Sequence, residues 1–187
     1  MPESAPPPAE LTGLSLAEIA EAVAARRLPP VEQWNPPHCG DSAMRIARDG
    51  TWFHDGAPIR RPAMVRLFAS LLRREQDGRY VLVTPVEKLD IAVEDAPFVA
   101  VEVRSEGAGE ARRIAFRLNT DEPVVAGPEH ALRLVEGRPY LTVRAGLEAA
   151  VARSIYYELA ELALEEGADP PGLWSDGVFF PLGTTDA

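Results

Sequence analysis

The amino-acid sequence predicts an α+β fold, and two features of its pattern support that class. Seven short apolar segments between residues 80 and 143 alternate with turn residues, which is typical of strands in a sandwich or a partly open barrel. Two longer segments, Arg61 to Glu75 and Leu147 to Glu166, show helical periodicity. Each half of the chain therefore places a helix after short strands, although no residue-level repeat is visible.

The composition bounds the partners that this chain can have. It has 187 residues, 46% of them hydrophobic, and a formal net charge of −10. This length suits one sizeable domain or two small ones that share an interface. The acidic balance argues against nucleic-acid polymers, which need a dense basic surface, and against anionic membranes. A pocket can still be locally positive, so a small anionic ligand stays compatible with the charge.

The sequence also predicts a cytoplasmic location. No apolar run is long enough to span a bilayer as a helix, and residues 1–10 lack the basic flank and apolar core of an export signal. Cys39 is the one cysteine, which excludes an intramolecular disulfide. A zinc site built from Cys39, His38, His54 and Asp41 lacks ligand spacing and is not expected. The sequence predicts no metal site and does not identify a cofactor.

The chain is expected to divide into three parts. Residues 1–10 are rich in proline, alanine and acid and predict a disordered tail. Residues 11–78 form an N-terminal subdomain that begins with a helix over 11–27 and includes a hairpin at Asp49-Gly50. Residues 79–187 form the second subdomain, in which the tail from Gly172 to Gly183 returns as a strand. The strands expected on either side of that hairpin and in the second subdomain are Met44–Ile46, Trp52–His54, Tyr80–Thr84, Leu89–Val93, Phe98–Arg104, Arg112–Leu118, Pro123–Ala126, Ala131–Val135 and Leu141–Val143.

Catalytic templates do not match. The sequence contains no phosphate-binding loop ending in Lys-Ser/Thr, no dinucleotide glycine fingerprint and no nucleophile elbow. An enzyme is therefore less favoured than a ligand-binding module or a protein–protein interaction module.

Two arginines beside an aromatic hairpin give the first candidate site. Arg45 and Arg60 flank Trp52-Phe53. A guanidinium suits a carboxylate or phosphate, and an aromatic ring can stack on a base. Together these residues would suit a nucleotide-like ligand. The alternative is that the two aromatics belong to the core and that the arginines pair with nearby acids.

Other polar residues complete the candidate site. Thr84, Glu87 and Lys88 lie in one connection between strands, and functional residues concentrate on such loops. An ordinary exposed turn explains them equally well. Asn119 follows a strand and offers a donor and an acceptor, although turn formation is the simpler explanation. From the second half, the expected contributors are Arg144 and Tyr156.

Four segments of the chain are distinctive: CGDSAMRIARDGTWFHDGAPIRR at residues 39–61, YVLVTPVEKLDIAVEDAPFVA at residues 80–100, RLNT at residues 117–120 and RSIYYELAELA at residues 153–163. Through them the chain resembles a bacterial family of unknown function, DUF1285. The resemblance covers nearly the whole chain apart from the N-terminal tail. It implies a duplicated core of two subdomains, the second of them like a pleckstrin-homology fold. That fold matches the seven-stranded, antiparallel, partly open barrel and the following long helix that the residue pattern predicts.

The resemblance also implies a ligand site at the interface of the subdomains, suited to a nucleotide-like molecule, and a role in signalling or stress response. It supplies no catalytic residue. The leading hypothesis is a cytosolic protein that binds a small anion there: Arg45, Arg60 and Lys88 would meet its charge, and Trp52 would stack. Thr84, Glu87 and Asn119 would orient the ligand, and Arg144 and Tyr156 would approach from the second half. The alternative is a protein–protein interaction module without a small molecule.

Overall fold

A computed structural model describes residues 28–37 and 39–183 of the chain. The tail expected over residues 1–10 and the helix expected over 11–27 lie outside the described residues. Over these described residues the architecture is a two-domain α+β fold, made mostly of strands with two α-helices, in which the sheet curls as a half-barrel. We call residues 28–96 the N-terminal half and residues 97–183 the C-terminal half.

The N-terminal half contains a six-stranded sheet in the spatial order β3-β2-β1-β6-β5-β4. Helix α1, Pro62–Ser70, lies between β3 and β4 in the chain and has its proline in the first turn, where a missing amide hydrogen costs nothing. Strands β1 and β6 pair in parallel, and the other neighbours are antiparallel. The strands are β1 Cys39–Ile46, β2 Trp52–His54, β3 Ala57–Pro58, β4 Leu72–Arg74, β5 Tyr80–Val83 and β6 Lys88–Val93.

The C-terminal half repeats this arrangement. Its sheet has the order β9-β8-β7-β12-β11-β10, so its six strands follow the same path, and its first and last strands again pair in parallel. The duplication implied by the resemblance is therefore confirmed at the level of topology. The strands are β7 Phe98–Glu106, β8 Arg113–Leu118, β9 Pro123–Val125, β10 Leu132–Val135, β11 Arg138–Arg144 and β12 Leu147–Val151.

This topology changes the expected grouping of strands. Residues 80–83 and 88–93 form β5 and β6 of the N-terminal sheet, where β5 pairs with β4 and β6 pairs with β1. The division expected at residue 78 would separate β4 from β5, whereas the two sheets part between Val93 and Phe98. The parallel pairing of β12 with β7 also departs from an all-antiparallel barrel.

Both helices are shorter than the sequence predicted. The expected helix from Arg61 to Glu75 ends at Ser70, because Leu72 and Arg73 pair with Leu82 and Val81 as strand β4. The expected helix from residue 147 begins only at residue 153, because residues 147–151 pair with β11 and β7. Its observed bounds, as helix α2, are Arg153–Glu166, and Gly167 ends it in a left-handed conformation.

The tail returns to the fold as a hairpin rather than a single strand. It consists of β13, Gly172–Ser175, and β14, Val178–Pro181. The fully buried Ser175 hydroxyl donates to the Ala126 carbonyl at 2.7 Å and accepts from the Ile114 amide at 2.9 Å. These bonds fix the hairpin against the edge of the C-terminal sheet. One hydrophobic cluster then spans both halves of the described chain.

Gly50 gives a direct test of how the two halves meet. Its φ is +89°, and an added Cβ would lie 2.6 Å from Asn119 Nδ2 and 3.0 Å from Val99 Cγ2. We expect Gly50→Ala to lower the free energy of unfolding by about 2–3 kcal/mol, since a clash with the other half adds to the left-handed strain. Gly56, with φ +78° and nothing within 4 Å, is the matched control.

In urea denaturation, Gly56→Ala should cost only the backbone strain, about 1–2 kcal/mol. Equal losses in the two variants would contradict the close approach of the halves at Gly50.

Candidate functional site

A cleft between the two halves is the strongest candidate site. Its volume is about 340 Å³, and both halves contribute to its walls. The β1–β2 turn forms one side, the start of α1 forms another, and the turn after β8 closes it. The lining residues are Asp49, Gly50, Thr51, Trp52, Ile59, Arg60, Pro62, Val65, Arg66, Asn119 and Thr120.

The β1–β2 turn is shaped by its own hydrogen bonds. Asp49 Oδ1 accepts the Thr51 amide hydrogen at 2.9 Å, and the Gly50 amide donates to the Ala47 carbonyl at 2.9 Å. The amide of Thr51 lowers the pKa of the Asp49 carboxyl, followed by the Thr51 side chain. Asp49 is therefore an ionised acceptor at the mouth of the cleft at neutral pH.

Asn119 connects the turn to the C-terminal half. Its Nδ2 donates to the Gly50 carbonyl at 3.2 Å, and its Oδ1 accepts from the Val99 amide at 3.0 Å. Its own amide donates to the Val99 carbonyl at 2.8 Å. Since each side-chain atom has a partner, Asn119 holds the wall in place and is not a free ligand group.

Two donors of the lining residues are buried without a partner. Trp52 is 1% exposed and Thr120 is 3% exposed. Within the described part of the chain, neither Trp52 Nε1 nor Thr120 Oγ1 makes a hydrogen bond. Buried polar groups are nearly always paired, so each exception calls for an explanation such as a bound water or ligand. Since both residues line the cleft, its walls contain two buried donors that have no partner among the described residues.

Two arginines line the same cleft. Arg60 is exposed, and no ion pair or hydrogen bond to its side chain occurs among the described residues. Arg66 Nη1 lies 3.2 Å from Asp121 Oδ2, and both side chains are about one third exposed. The first turn of α1, at Pro62, also borders the cleft, and the positive end of a helix dipole favours an anion. Asp121 offsets the charge of Arg66, so Arg60 is the lining cation without an acidic partner among the described residues.

Of the nine residues expected at the site, Trp52, Arg60 and Asn119 line this cleft. The stacking role expected for Trp52 is wrong, because the indole is buried and packs on Phe68 with ring centroids 6.5 Å apart. The alternative of a core aromatic holds instead.

Arg45 lies on the other face of the N-terminal sheet. It pairs with Phe53 across β1 and β2, and neighbouring residues of a strand point to opposite faces. Its guanidinium lies 4.2 Å from the Phe53 ring centroid and 2.5 Å from Glu94. Arg45 therefore does not reach the cleft that contains Trp52, as the expected site required.

The connection between β5 and β6 lies outside the cleft as well. Thr84 Oγ1 accepts the Glu87 amide hydrogen at 3.1 Å, so these two residues close an ordinary turn. Lys88 borders a second cleft of about 610 Å³, where its Nζ lies 3.1 Å from Glu75. Arg73 also lines that second cleft and donates to the Val31 and Trp34 carbonyls, so its contacts hold the segment that precedes β1.

The two residues expected from the second half are structural in this fold. Arg144 lies 2.8 Å from both Glu122 carboxylate oxygens, donates to the Ala69 carbonyl at 2.9 Å and covers the Phe98 ring. The Tyr156 hydroxyl donates to the Leu182 carbonyl at 3.3 Å. Neither lines the cleft.

Thr120, Arg66 and Asp49 line the cleft but are not among the nine residues expected from the sequence. Thr120 follows Asn119 directly, but a turn pattern does not say which of its residues is buried. The described residues contain no group of three or more His, Cys, Asp or Glu side chains that could hold a metal. The described helices include none with the length and apolar character needed to cross a membrane.

Comparisons with known proteins agree with this architecture. The model for the N-terminal domain of DUF1285, a domain of unknown function, matches residues 29–96, and the model for its C-terminal domain matches residues 97–182. The crystal structure of a DUF1285 family protein from Silicibacter pomeroyi is 46% identical, with a TM-score of 0.78; the match covers 90% of this chain and 96% of that chain.

A second crystal structure, of a DUF1285 family protein from Shewanella baltica, is 27% identical with a TM-score of 0.53 and covers 65% of this chain and 92% of that chain. No curated protein matches the chain. The two domain models together span nearly all of the described residues, and this chain belongs to the DUF1285 family.

Proposed function

We propose that this chain is a cytosolic binding module whose ligand is a small anion held in the cleft between the two halves. The observation that carries the proposal is the pair of buried donors Trp52 Nε1 and Thr120 Oγ1 beside Arg60, all three without a partner among the described residues. The proposal keeps the expected location of the site and replaces most of its expected residues.

The donors define what the ligand must offer. An indole N–H can only donate, and a threonine hydroxyl can donate as well as accept. A buried donor left unsatisfied costs about 1–3 kcal/mol, so acceptor oxygens of a ligand would recover that cost. A guanidinium at the same cleft adds a charge-assisted hydrogen bond to a carboxylate or phosphate. These groups together favour an oxyanion.

Binding is favoured over catalysis by the lining residues. Asp49 is the one carboxylate among the described residues that line the cleft, so a second acid or base for proton transfer is missing there. The pleckstrin-homology-like character of the C-terminal half and a role in signalling or stress response belong to the same proposal. The first is supported by the order of elements, in which strands β7 to β12 are followed by helix α2. The second is supported by a cleft whose described lining holds a single carboxylate.

The second candidate is a protein–protein interaction module. Tyr157 is 58% exposed and Leu164 is 71% exposed, and their spacing of seven residues puts them on one face of α2. Single exposed apolar residues are normal on protein surfaces, whereas the cleft presents a convergent set of polar groups. The ligand-binding module is therefore favoured over the interaction module. Self-association that is lost in Leu164→Glu would favour the second candidate.

The test of the proposal compares two adjacent arginines. Arg60 lines the cleft, whereas Arg61 precedes α1 and does not. We expect phosphate, carboxylate or sugar phosphate probes to raise the Tm of the full chain in a concentration-dependent way. Arg60→Ala should weaken this binding by about 10-fold or more, because a charge-assisted hydrogen bond contributes about 1.5–3 kcal/mol.

Arg61→Ala removes the same charge at the adjacent residue, and this variant should bind the anion probes as tightly as the wild type. A well-folded protein that responds to no anion, or equal binding in both variants, would overturn the proposal.

A further inference from the structure

The cleft offers no aromatic surface on which a base could stack. Trp52 is the one aromatic residue among those that line it, and 1% of its surface is exposed. Its indole is stacked on Phe68 with an interplanar angle of 20°. Base stacking on an aromatic ring contributes about 1–3 kcal/mol, but only where a ring face is open to the base. A nucleobase would therefore gain little in this cleft.

The remaining apolar lining is small. Ile59, Pro62 and Val65 provide it, and all three are aliphatic. The volume of about 340 Å³ lies at the lower end of the range of about 300–1,000 Å³ for small-molecule sites. Size and wall chemistry thus both fit a compact ligand without a flat ring system.

The polar lining favours a ligand that both accepts and donates hydrogen bonds. Trp52 Nε1, Thr120 Oγ1 and the Arg60 guanidinium require acceptors. The Asp49 carboxylate, which accepts the Thr51 amide hydrogen and whose pKa is lowered by it, can accept a further hydrogen bond from a ligand and repels a second anionic group. An oxyanion at the arginine, with hydroxyl groups directed to the carboxylate, satisfies both requirements.

We infer that the cleft binds a compact hydroxylated oxyanion, the chemistry shared by sugar phosphates and sugar acids, and does not recognise a nucleobase. This inference rests on the proposed function, because it assigns a chemical class to the ligand of the same cleft. It also replaces the nucleotide-like ligand implied by the sequence resemblance.

The experiment is isothermal titration of the full chain with four probes: ribose 5-phosphate, adenosine 5′-monophosphate, inorganic phosphate and gluconate. The first two share a phosphorylated ribose and differ by the base. We expect ribose 5-phosphate to bind at least as tightly as adenosine 5′-monophosphate, and about 5-fold or more tightly than inorganic phosphate, from one or two added hydrogen bonds. Tighter binding of gluconate supports the inference equally and identifies a carboxylate as the anionic group.

Asp49→Asn separates the hydroxyl contacts from the charge contacts. The variant keeps a turn-forming side chain but loses the anionic acceptor. Binding of ribose 5-phosphate should fall by about 5-fold or more, while inorganic phosphate should bind as well as before or better, since a repulsive charge is gone. Thr120→Val, which removes the hydroxyl at nearly constant volume, should weaken both probes.

The two proposals fail in different ways. Binding of adenosine 5′-monophosphate that is about 10-fold tighter than ribose 5-phosphate, and that depends on Arg60, would overturn this inference and leave the proposed function standing. Inorganic phosphate binding as tightly as both sugar anions would do the same. Absence of Arg60-dependent binding by any of the four probes would overturn both.

Discussion

Replacing Trp52 with alanine should lower the free energy of unfolding by about 3–5 kcal/mol, the usual cost of emptying a large aromatic site in a core. Trp52 is 1% exposed, stacks on Phe68 and belongs to the hydrophobic cluster that spans both halves. Equilibrium urea denaturation followed by circular dichroism measures this loss as a shift of the midpoint at constant slope.

Trp52→Phe is the matched control, because it keeps an aromatic ring and removes the indole N–H. It should cost roughly half as much or less, since most of the buried volume stays filled. A loss below about 1 kcal/mol in Trp52→Ala would contradict a buried indole, and would restore the alternative in which its face is available to a ligand.

Replacing Arg144 with alanine should cost about 3 kcal/mol, near the lower end of the range for removing one partner of a buried ion pair. The side chain of Arg144 is 20% exposed and that of Glu122 is 13% exposed. The same guanidinium donates to the carbonyl of Ala69 in the last turn of α1, at 2.9 Å, and so satisfies a helix end from the opposite half. The loss should appear in urea denaturation.

Arg133 provides the control for the ion pair. It also makes two hydrogen bonds to one carboxylate, at 2.7 and 2.6 Å from Glu148, but its side chain is 53% exposed and both residues lie in the C-terminal sheet. Arg133→Ala should therefore cost only about 0–1 kcal/mol. If the two variants lose the same stability, Arg144 does not hold the halves together in the way described.

The sequence identified most strands because their turns carry clear signals. Asp49-Gly50 marks the β1–β2 hairpin, and the segments at Tyr80–Val83, Phe98–Glu106 and Arg113–Leu118 lie within or close to their expected bounds. Local patterns specify these elements because alternating burial and turn chemistry act over a few residues.

The failures occur where long-range pairing overrides local preference. Residues 147–151, LEAAV, read as the start of a helix because leucine and alanine favour one. They form β12, since they lie between β11 and β7 and pair with both. The parallel pairs β1–β6 and β7–β12 join strands that are distant in the chain, and no local signal specifies them.

The site was predicted less completely than the fold, because long-range strand pairing decides which residues meet there. Trp52, Arg60 and Asn119 converge on one cleft because the duplicated sheets bring the β1–β2 turn against the turn after β8. Arg45 and Arg60 both flank Trp52-Phe53 in the sequence and were equally expected at the site. Strand alternation places Arg45 on the opposite face of the sheet. Thr120 is a candidate only because its hydroxyl is buried, and burial cannot be read from the sequence.

The central claim is that an anion reaches the buried donors between the halves, and the Trp52 indole proton reports on it directly. We would titrate isotope-labelled full chain with ribose 5-phosphate and follow the indole N–H resonances of the three tryptophans, with Trp52→Phe for assignment. The account predicts a saturable shift of the Trp52 resonance that is lost in Arg60→Ala, and an unchanged resonance for Trp174 in the tail hairpin. A Trp52 resonance that stays fixed while the ligand binds would contradict it.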